Sequence, residues 1–290
     1  MSETRSFLLE TPHSSPLTLV ASVWGDPTHS PLICVHGLTG NGQDFDYIGP
    51  ELAKLGYYVV APDMIGRARS DYVDDPDLYR YTVYLSHLNQ IMDVLNVRPQ
   101  NPCVWLGVSM GGLLGVYLAG EESPRISRLI LDDIGPHVPQ EDLDLISQFL
   151  SGRFTYPSFE VMKVAFSQKA PRFDRGPMDD AQFDHFVRVA SRPLEDGTLT
   201  HNFDWEISRM FAAQPLGDTP LWPRWEAFEG DVLALRGEYS TLFPPEVVEE
   251  MARRKKAGSF TCIEIPKCGH VPSLYRDDQI KIVTDWLEKG

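Results

Sequence analysis

Basic charge is scarce in this chain of 290 residues: 26 lysines and arginines stand against 41 aspartates and glutamates, a formal net charge of -15. Such a surface repels phosphate backbones and anionic lipid, so nucleic acid and an anionic membrane face are excluded as partners. Long apolar runs are missing too. No stretch approaches the roughly 20 residues that cross a bilayer, and the opening Met1-Ser2-Glu3-Thr4-Arg5-Ser6 has no apolar leader, which predicts a cytoplasmic protein. Cysteine is sparse, and Cys34, Cys103, Cys262 and Cys268 have no metal-ligand spacing, so no metal site is predicted. The first three fall in apolar runs that read as strands and are expected to be small buried hydrophobes. Cys268, two residues before His270, is read the same way, with a partly accessible thiol as the alternative.

Apolar mass is abundant by contrast. Hydrophobic residues make up 42% of the chain and aromatics 11%, enough for one large core with an inserted subdomain. Short apolar runs at 31–35, 57–61, 103–108, 127–132, 231–236 and 259–265 alternate with segments of helical periodicity, the pattern of a parallel sheet flanked by helices. Two earlier runs, 6–9 and 17–24, flank Pro12-His13-Ser14-Ser15-Pro16 and read as an antiparallel hairpin at one sheet edge. Between 81 and 97 the apolar positions Val83, Leu85, Leu88, Ile91, Met92 and Leu95 recur at helical spacing and belong to the core. Arg253-Arg254-Lys255-Lys256 closes another helical segment, where cations complement the negative end of the helix dipole.

The motif that carries chemistry is Gly107-Val108-Ser109-Met110-Gly111-Gly112, between the strand Val104-Trp105-Leu106 and a small-residue helix over 113–119. A serine held between strand and helix sits on a tight turn that projects its oxygen, and flanking glycines let the neighbouring backbone pass. The helix that starts there offers its amides and positive dipole end to a developing oxyanion. A general base belongs after the last strand. His270, in Lys267-Cys268-Gly269-His270-Val271-Pro272, holds that position.

His36-Gly37-Leu38-Thr39-Gly40 follows the strand Leu32 to Val35, and Asp63-Met64-Ile65-Gly66-Arg67-Ala68-Arg69-Ser70 follows the next. With these segments the chain resembles the α/β-hydrolase superfamily over nearly its whole length. The resemblance implies a mostly parallel eight-stranded sheet with a helical lid inserted after strand six. It also implies an oxyanion hole made by the backbone N–H groups of Leu38 and Met110, a structural role for His36, and a scaffold role for the turn at 63–70. Most members carry the triad acid in a Gly-x-x-Asp turn after strand seven, but Gly237-Glu238-Tyr239-Ser240 has serine there. Strand six ends in Leu131-Asp132-Asp133-Ile134-Gly135-Pro136, which is similar to a branch of small esterases with Asp-Ile-Gly-Pro or Asp-Ile-Ala-Pro. Asp133 is therefore the expected acid, with Glu238 and Asp132 as alternatives; adjacent strand residues face opposite ways, so Asp132 and Asp133 cannot both reach the histidine.

Ser109, His270 and Asp133 together predict acyl transfer through an acyl-enzyme, with no metal or organic cofactor required and a small-molecule ester as partner. Core segments are expected at 1–138 and 225–290, with the lid at 139–224. Phe149, Phe154, Phe166, Phe173, Phe183, Phe186, Phe203 and Phe211 of the lid would wall a pocket for an uncharged group, at least half of them forming the lid's own core instead. Arg153, Arg172, Arg175 and Arg188 are expected to pair with lid aspartates rather than with a substrate carboxylate. Carbon–carbon bond hydrolysis, lactone and thioester cleavage use the same three residues and stay open, as do a cofactor-free oxygenase and a ligand receptor. The sequence leaves substrate identity and oligomeric state undetermined.

Overall fold

A computed structural model describes residues 2–209 and 221–289. Its main sheet has eight strands: β1 (Glu3–Leu9), β2 (Leu17–Trp24), β3 (Ser30–Val35), β4 (Tyr57–Pro62), β5 (Cys103–Val108), β6 (Ile126–Asp132), β10 (Asp231–Gly237) and β11 (Phe260–Ile265). Their spatial order is β1-β2-β4-β3-β5-β6-β10-β11. β1 and β2 form the expected antiparallel hairpin, β2 joins β4 antiparallel, and every later pair is parallel.

Both faces of the sheet are covered, which is why its central strands read as continuous apolar runs. Alternate residues divide between two cores. On one side Ile33, Trp105, Leu129, Leu131 and Val232 pack with Leu88 of α2 (Tyr81–Val94), Leu114 of α3 (Met110–Ala119), Trp225 of α7 (Trp222–Ala227) and Met251 of α8 (Pro245–Arg254). On the other, Leu32, Leu106, Ile130 and Leu235 pack with Leu52 of α1 (Ile48–Lys54) and Val283 of α9 (Asp277–Glu288). Full burial of such a side chain is worth roughly 1.5–3 kcal/mol, so a one-residue slip in any central strand would be costly. The basic run at the end of α8 is ion-paired: Arg254 meets Glu226 at 2.9 Å and Lys256 meets the same carboxylate at 2.9 Å.

Between β6 and β10 the chain forms α4 (Gln140–Leu150), α5 (Phe159–Ser167) and α6 (Asp180–Val189). It also forms a second, three-stranded antiparallel sheet from β7 (Thr155–Tyr156), β8 (Ser191–Pro193) and β9 (Leu199–His201), in the order β7-β9-β8. The sequence reading expected only helices here; strands of two or three residues are too short to display an alternation. Phe211 lies outside the described residues. No described helix is long and apolar enough to cross a membrane.

Candidate active site

Three parallel strands bring the chemistry to one edge of the sheet. β5 ends at Val108, and Ser109 follows with φ +49°, a conformation that non-glycine residues rarely hold and that concentrates at functional turns. The turn is crowded: a Cβ on Gly111 would lie 2.0 Å from the Val35 carbonyl oxygen, and one on Gly107 would lie 2.4 Å from the Gly111 backbone. The elbow therefore closes only with glycine at both positions. α3 starts at Met110, three residues before the start expected from the sequence, so the Met110 amide is among those with no acceptor inside the helix.

β6 lies beside β5, and the Ser109 amide donates to the Asp132 carbonyl at 3.0 Å. The next residue, Asp133, has φ +56° and is fully buried. Its Oδ1 accepts from the Gly237 amide at 2.8 Å, and its Oδ2 lies 2.7 Å from His270 Nδ1. His270 Nε2 is 2.9 Å from Ser109 Oγ. With Nδ1–H donating to the carboxylate, Nε2 is left to accept the serine proton. Neither alternative acid joins this chain. Exposed Glu238 accepts the Lys267 amide at 2.8 Å, and both oxygens of buried Asp132 lack a partner among the described residues. Burial, reinforced by the neighbouring Asp133 charge, pushes the Asp132 carboxyl well above the usual range.

The loop after β3 faces this group; a Cβ on Gly37 would stand 3.6 Å from that of Ser109. His36 shapes the loop. Its Nε2 accepts the Met64 amide at 3.0 Å, so Nδ1 carries the proton and donates to the Gly37 carbonyl at 2.6 Å. Burial, followed by the Arg67 charge, pushes His36 down to about 4 and keeps it neutral. The Gly40 amide also donates to the Gly37 carbonyl, at 3.1 Å. The Gly37–Leu38 peptide plane is thus fixed, with the Leu38 N–H on the side opposite these bonds. Arg67 Nε donates to the Leu38 carbonyl at 3.0 Å, and its Nη1 donates to the Ile65 carbonyl and the Tyr84 hydroxyl, each at 2.6 Å. The rest of the 63–70 turn is scaffold: Asp63 accepts from the Gly42 amide at 2.7 Å and grips Arg69 at 2.8 Å.

A cavity of about 410 Å³ opens on Ser109 and His270, within the range of small-molecule sites. Phe149, Phe166, Phe173 and Phe186 wall it, together with Leu38, Val108 and Val271. Phe154, Phe183 and Phe203 do not line it; Phe203 belongs to the main core and Phe183 packs within the inserted segment. Lys169, Arg175 and Asp44 also face it, and nothing local in the sequence marked Lys169 or Asp44. The expected pairing of the four arginines with lid aspartates does not occur among the described residues. Arg153 pairs with Glu206, whereas Arg172, Arg175 and Arg188 lie over the rings of Phe173, Phe186 and Phe159. Those rings supply a cation–π contact where a carboxylate was expected. Cys268 is fully buried, and its thiol is pushed up to about 12 by desolvation. The described residues contain no cluster of three or more His, Cys, Asp or Glu that could hold a metal.

Comparison with known proteins agrees with this architecture. A 3-hydroxybutyrate-oligomer hydrolase of Cupriavidus necator is 32% identical over 273 residues, covering 91% of this chain and 90% of that protein. An sn-1-specific diacylglycerol lipase of Xenopus laevis is 28% identical over 233 residues, 77% of this chain and 69% of that one. An alpha/beta hydrolase from Novosphingobium aromaticivorans superposes with a TM-score of 0.85 at 27% identity, over 100% of this chain and 99% of the other. The family model described as alpha/beta hydrolase fold matches residues 30–277, and the chain belongs to that family.

Proposed function

We propose that the protein is a serine hydrolase that cleaves carboxylic esters of small or medium size through an acyl-enzyme. The observation that carries this reading is the hydrogen-bonded chain from Ser109 Oγ through His270 to Asp133, at 2.9 and 2.7 Å. His270 takes the Ser109 proton as the oxygen attacks the ester carbonyl, and Asp133 holds the imidazole in its working tautomer and stabilises the imidazolium. The N–H groups of Leu38 and Met110 receive the oxyanion; supporting this, one sits on a peptide fixed by His36 and the other at the start of α3. His270 then returns its proton to the leaving alcohol, and water releases the acyl group by the reverse route.

Residues 139–224 act as the cap that walls the acyl or alcohol pocket with phenylalanine. The ester-cleaving activities in the names of the Cupriavidus and Xenopus relatives support the ester assignment. The test is hydrolysis of p-nitrophenyl esters from acetate to decanoate by wild type and Ser109→Ala side by side. Activity in wild type alone is expected, with the chain-length profile sizing the pocket. Equal activity in the two proteins, or none on any ester, overturns the reading.

A further inference from the structure

Two cations face the cavity without a carboxylate to hold them. Of the other cations in the inserted segment, Arg153 pairs with Glu206 and Lys163 with Asp184, while Arg172 and Arg188 lie over aromatic rings and do not line the cavity. Lys169 and Arg175 form no ion pair among the described residues. Lys169 is solvent-accessible as a residue, but its Nζ lies over the rings of Phe166 and Phe186, 4.8 and 5.0 Å from their centroids. The Arg175 guanidinium lies 4.7 Å from the centroid of Phe186, and its Nε is buried with no hydrogen-bond partner. Crowding by the protein and by Arg175 brings Lys169 down to about 8, which leaves it charged at pH 7.

Aromatic faces stabilise cations but accept none of their directional N–H bonds, so donors converge on the cavity unmet. Asp44 shares the cavity but forms no ion pair with either cation among the described residues; burial pushes its carboxyl up, against the opposing charge of Arg175. Asp174 is turned to its own loop, its Oδ1 accepting the Gly176 amide at 3.1 Å. A mostly apolar cavity with a lysine and an arginine at one wall suits a ligand that is apolar where it meets the phenylalanines and anionic where it meets these two donors. Arginine's fork matches a carboxylate in particular.

Resting on the ester-hydrolase reading, we infer that Lys169 and Arg175 form a carboxylate subsite, and that the ester cleaved at Ser109 carries a free carboxylate on the part seated under the inserted segment. The neutral substrate expected from the phenylalanines alone is thereby replaced by an amphiphilic one.

The test compares mono-p-nitrophenyl succinate, glutarate and adipate with p-nitrophenyl esters of the unsubstituted acids of equal length. The readout is the ratio of kcat/KM for the anionic ester to that for its neutral match, from which any change common to both substrates cancels. Wild type is expected to favour an anionic ester. Lys169→Gln and Arg175→Gln should each lower the ratio about tenfold to a hundredfold, the worth of a charged hydrogen bond, while Lys169→Arg keeps it. An unchanged ratio in both charge-removing variants overturns the subsite. Calorimetric binding of the same esters to Ser109→Ala decides the question without turnover. Tighter binding of the anionic ester, lost on adding Lys169→Gln and Arg175→Gln, sustains the subsite even if wild type hydrolyses neither series, a result that would sink only the acyl-enzyme reading. Equal binding of the two esters overturns the subsite.

Discussion

Asp132 and Asp133 are adjacent, both fully buried at the end of β6, and opposite in their bonding: Asp133 uses both carboxylate oxygens, and Asp132 uses neither among the described residues. The two positions should therefore respond differently to loss of charge. Asp133→Asn should lower kcat by about 10⁴-fold, as removal of the orienting carboxylate does in serine hydrolases. Glu238→Gln, whose side chain meets the Lys267 amide and Tyr239 but not His270, should leave kcat within severalfold of wild type. Steady-state kinetics on one p-nitrophenyl ester settles the comparison, and similar losses in the two variants would remove Asp133 from its role.

Asp132 makes a separate prediction about stability. In the unfolded chain an aspartate ionises near 3.9. The folded protein holds Asp132 protonated to higher pH, because burial and the Asp133 charge both oppose its ionisation. Above about pH 4 the native state therefore binds more protons than the unfolded state at this site, and stability drains away as the pH rises towards the folded pKa. Asp132→Asn removes that slope. The difference in unfolding free energy, variant minus wild type, should grow more favourable to the variant between about pH 4.5 and pH 7.5. Urea denaturation at the two pH values measures it, and a constant difference would contradict the raised Asp132 carboxyl.

The parts of the site that were legible in the sequence are those whose signal is local. Ser109 and its glycines occupy a strand-to-helix turn that admits few other residues, and the crowding around Gly107 and Gly111 shows why. Leu38 and His270 are marked by the strands they follow. Asp133 was harder, since the sequence offers two neighbouring aspartates and an exposed glutamate; only the third dimension shows that one carboxylate spans the Gly237 amide and His270. Arg67 could not be read at all. An arginine in a turn ordinarily projects into water, and its burial here depends on the Leu38 carbonyl and the Tyr84 hydroxyl, both contributed by segments distant in sequence. Lys169, Arg175 and the small β7-β9-β8 sheet are likewise products of non-local packing within the inserted segment.

Arg67 is fully buried, forms no ion pair among the described residues, and ties the Leu38 carbonyl, through its Nε, to the Ile65 carbonyl and the Tyr84 hydroxyl, through its Nη1. In the proposed oxyanion hole it is a positioning residue, acting on the Leu38 amide through the Leu38 carbonyl that it holds. Arg67→Met should lower kcat about tenfold with KM little changed, because a misplaced oxyanion donor weakens the transition state more than the ground state. It should also destabilise the fold by about 1–3 kcal/mol for each acceptor left unmet. Arg67→Lys restores the charge and one donor and should recover part of kcat. A purely structural role would lower Tm in Arg67→Met without the kcat deficit in the fraction that remains folded.

Lys169 links the carboxylate subsite to pH. Its ammonium is brought to about 8 by desolvation first and by Arg175 second, against the opposing pull of Asp174 and Asp44. His201, on the same cavity wall, is pushed down to about 4 by its own burial and then by Lys169, so it is neutral throughout the relevant range. An anionic ester gains from Lys169 only while that lysine is protonated, so its advantage over the matched neutral ester should decline as the pH rises through about 8, leaving the share owed to Arg175. The kcat/KM ratio of mono-p-nitrophenyl glutarate to p-nitrophenyl pentanoate, followed from pH 6.5 to 9.5, should therefore fall through a single step in wild type and stay flat in Lys169→Gln. A flat ratio in wild type would mean that Lys169 does not contact the substrate's charge.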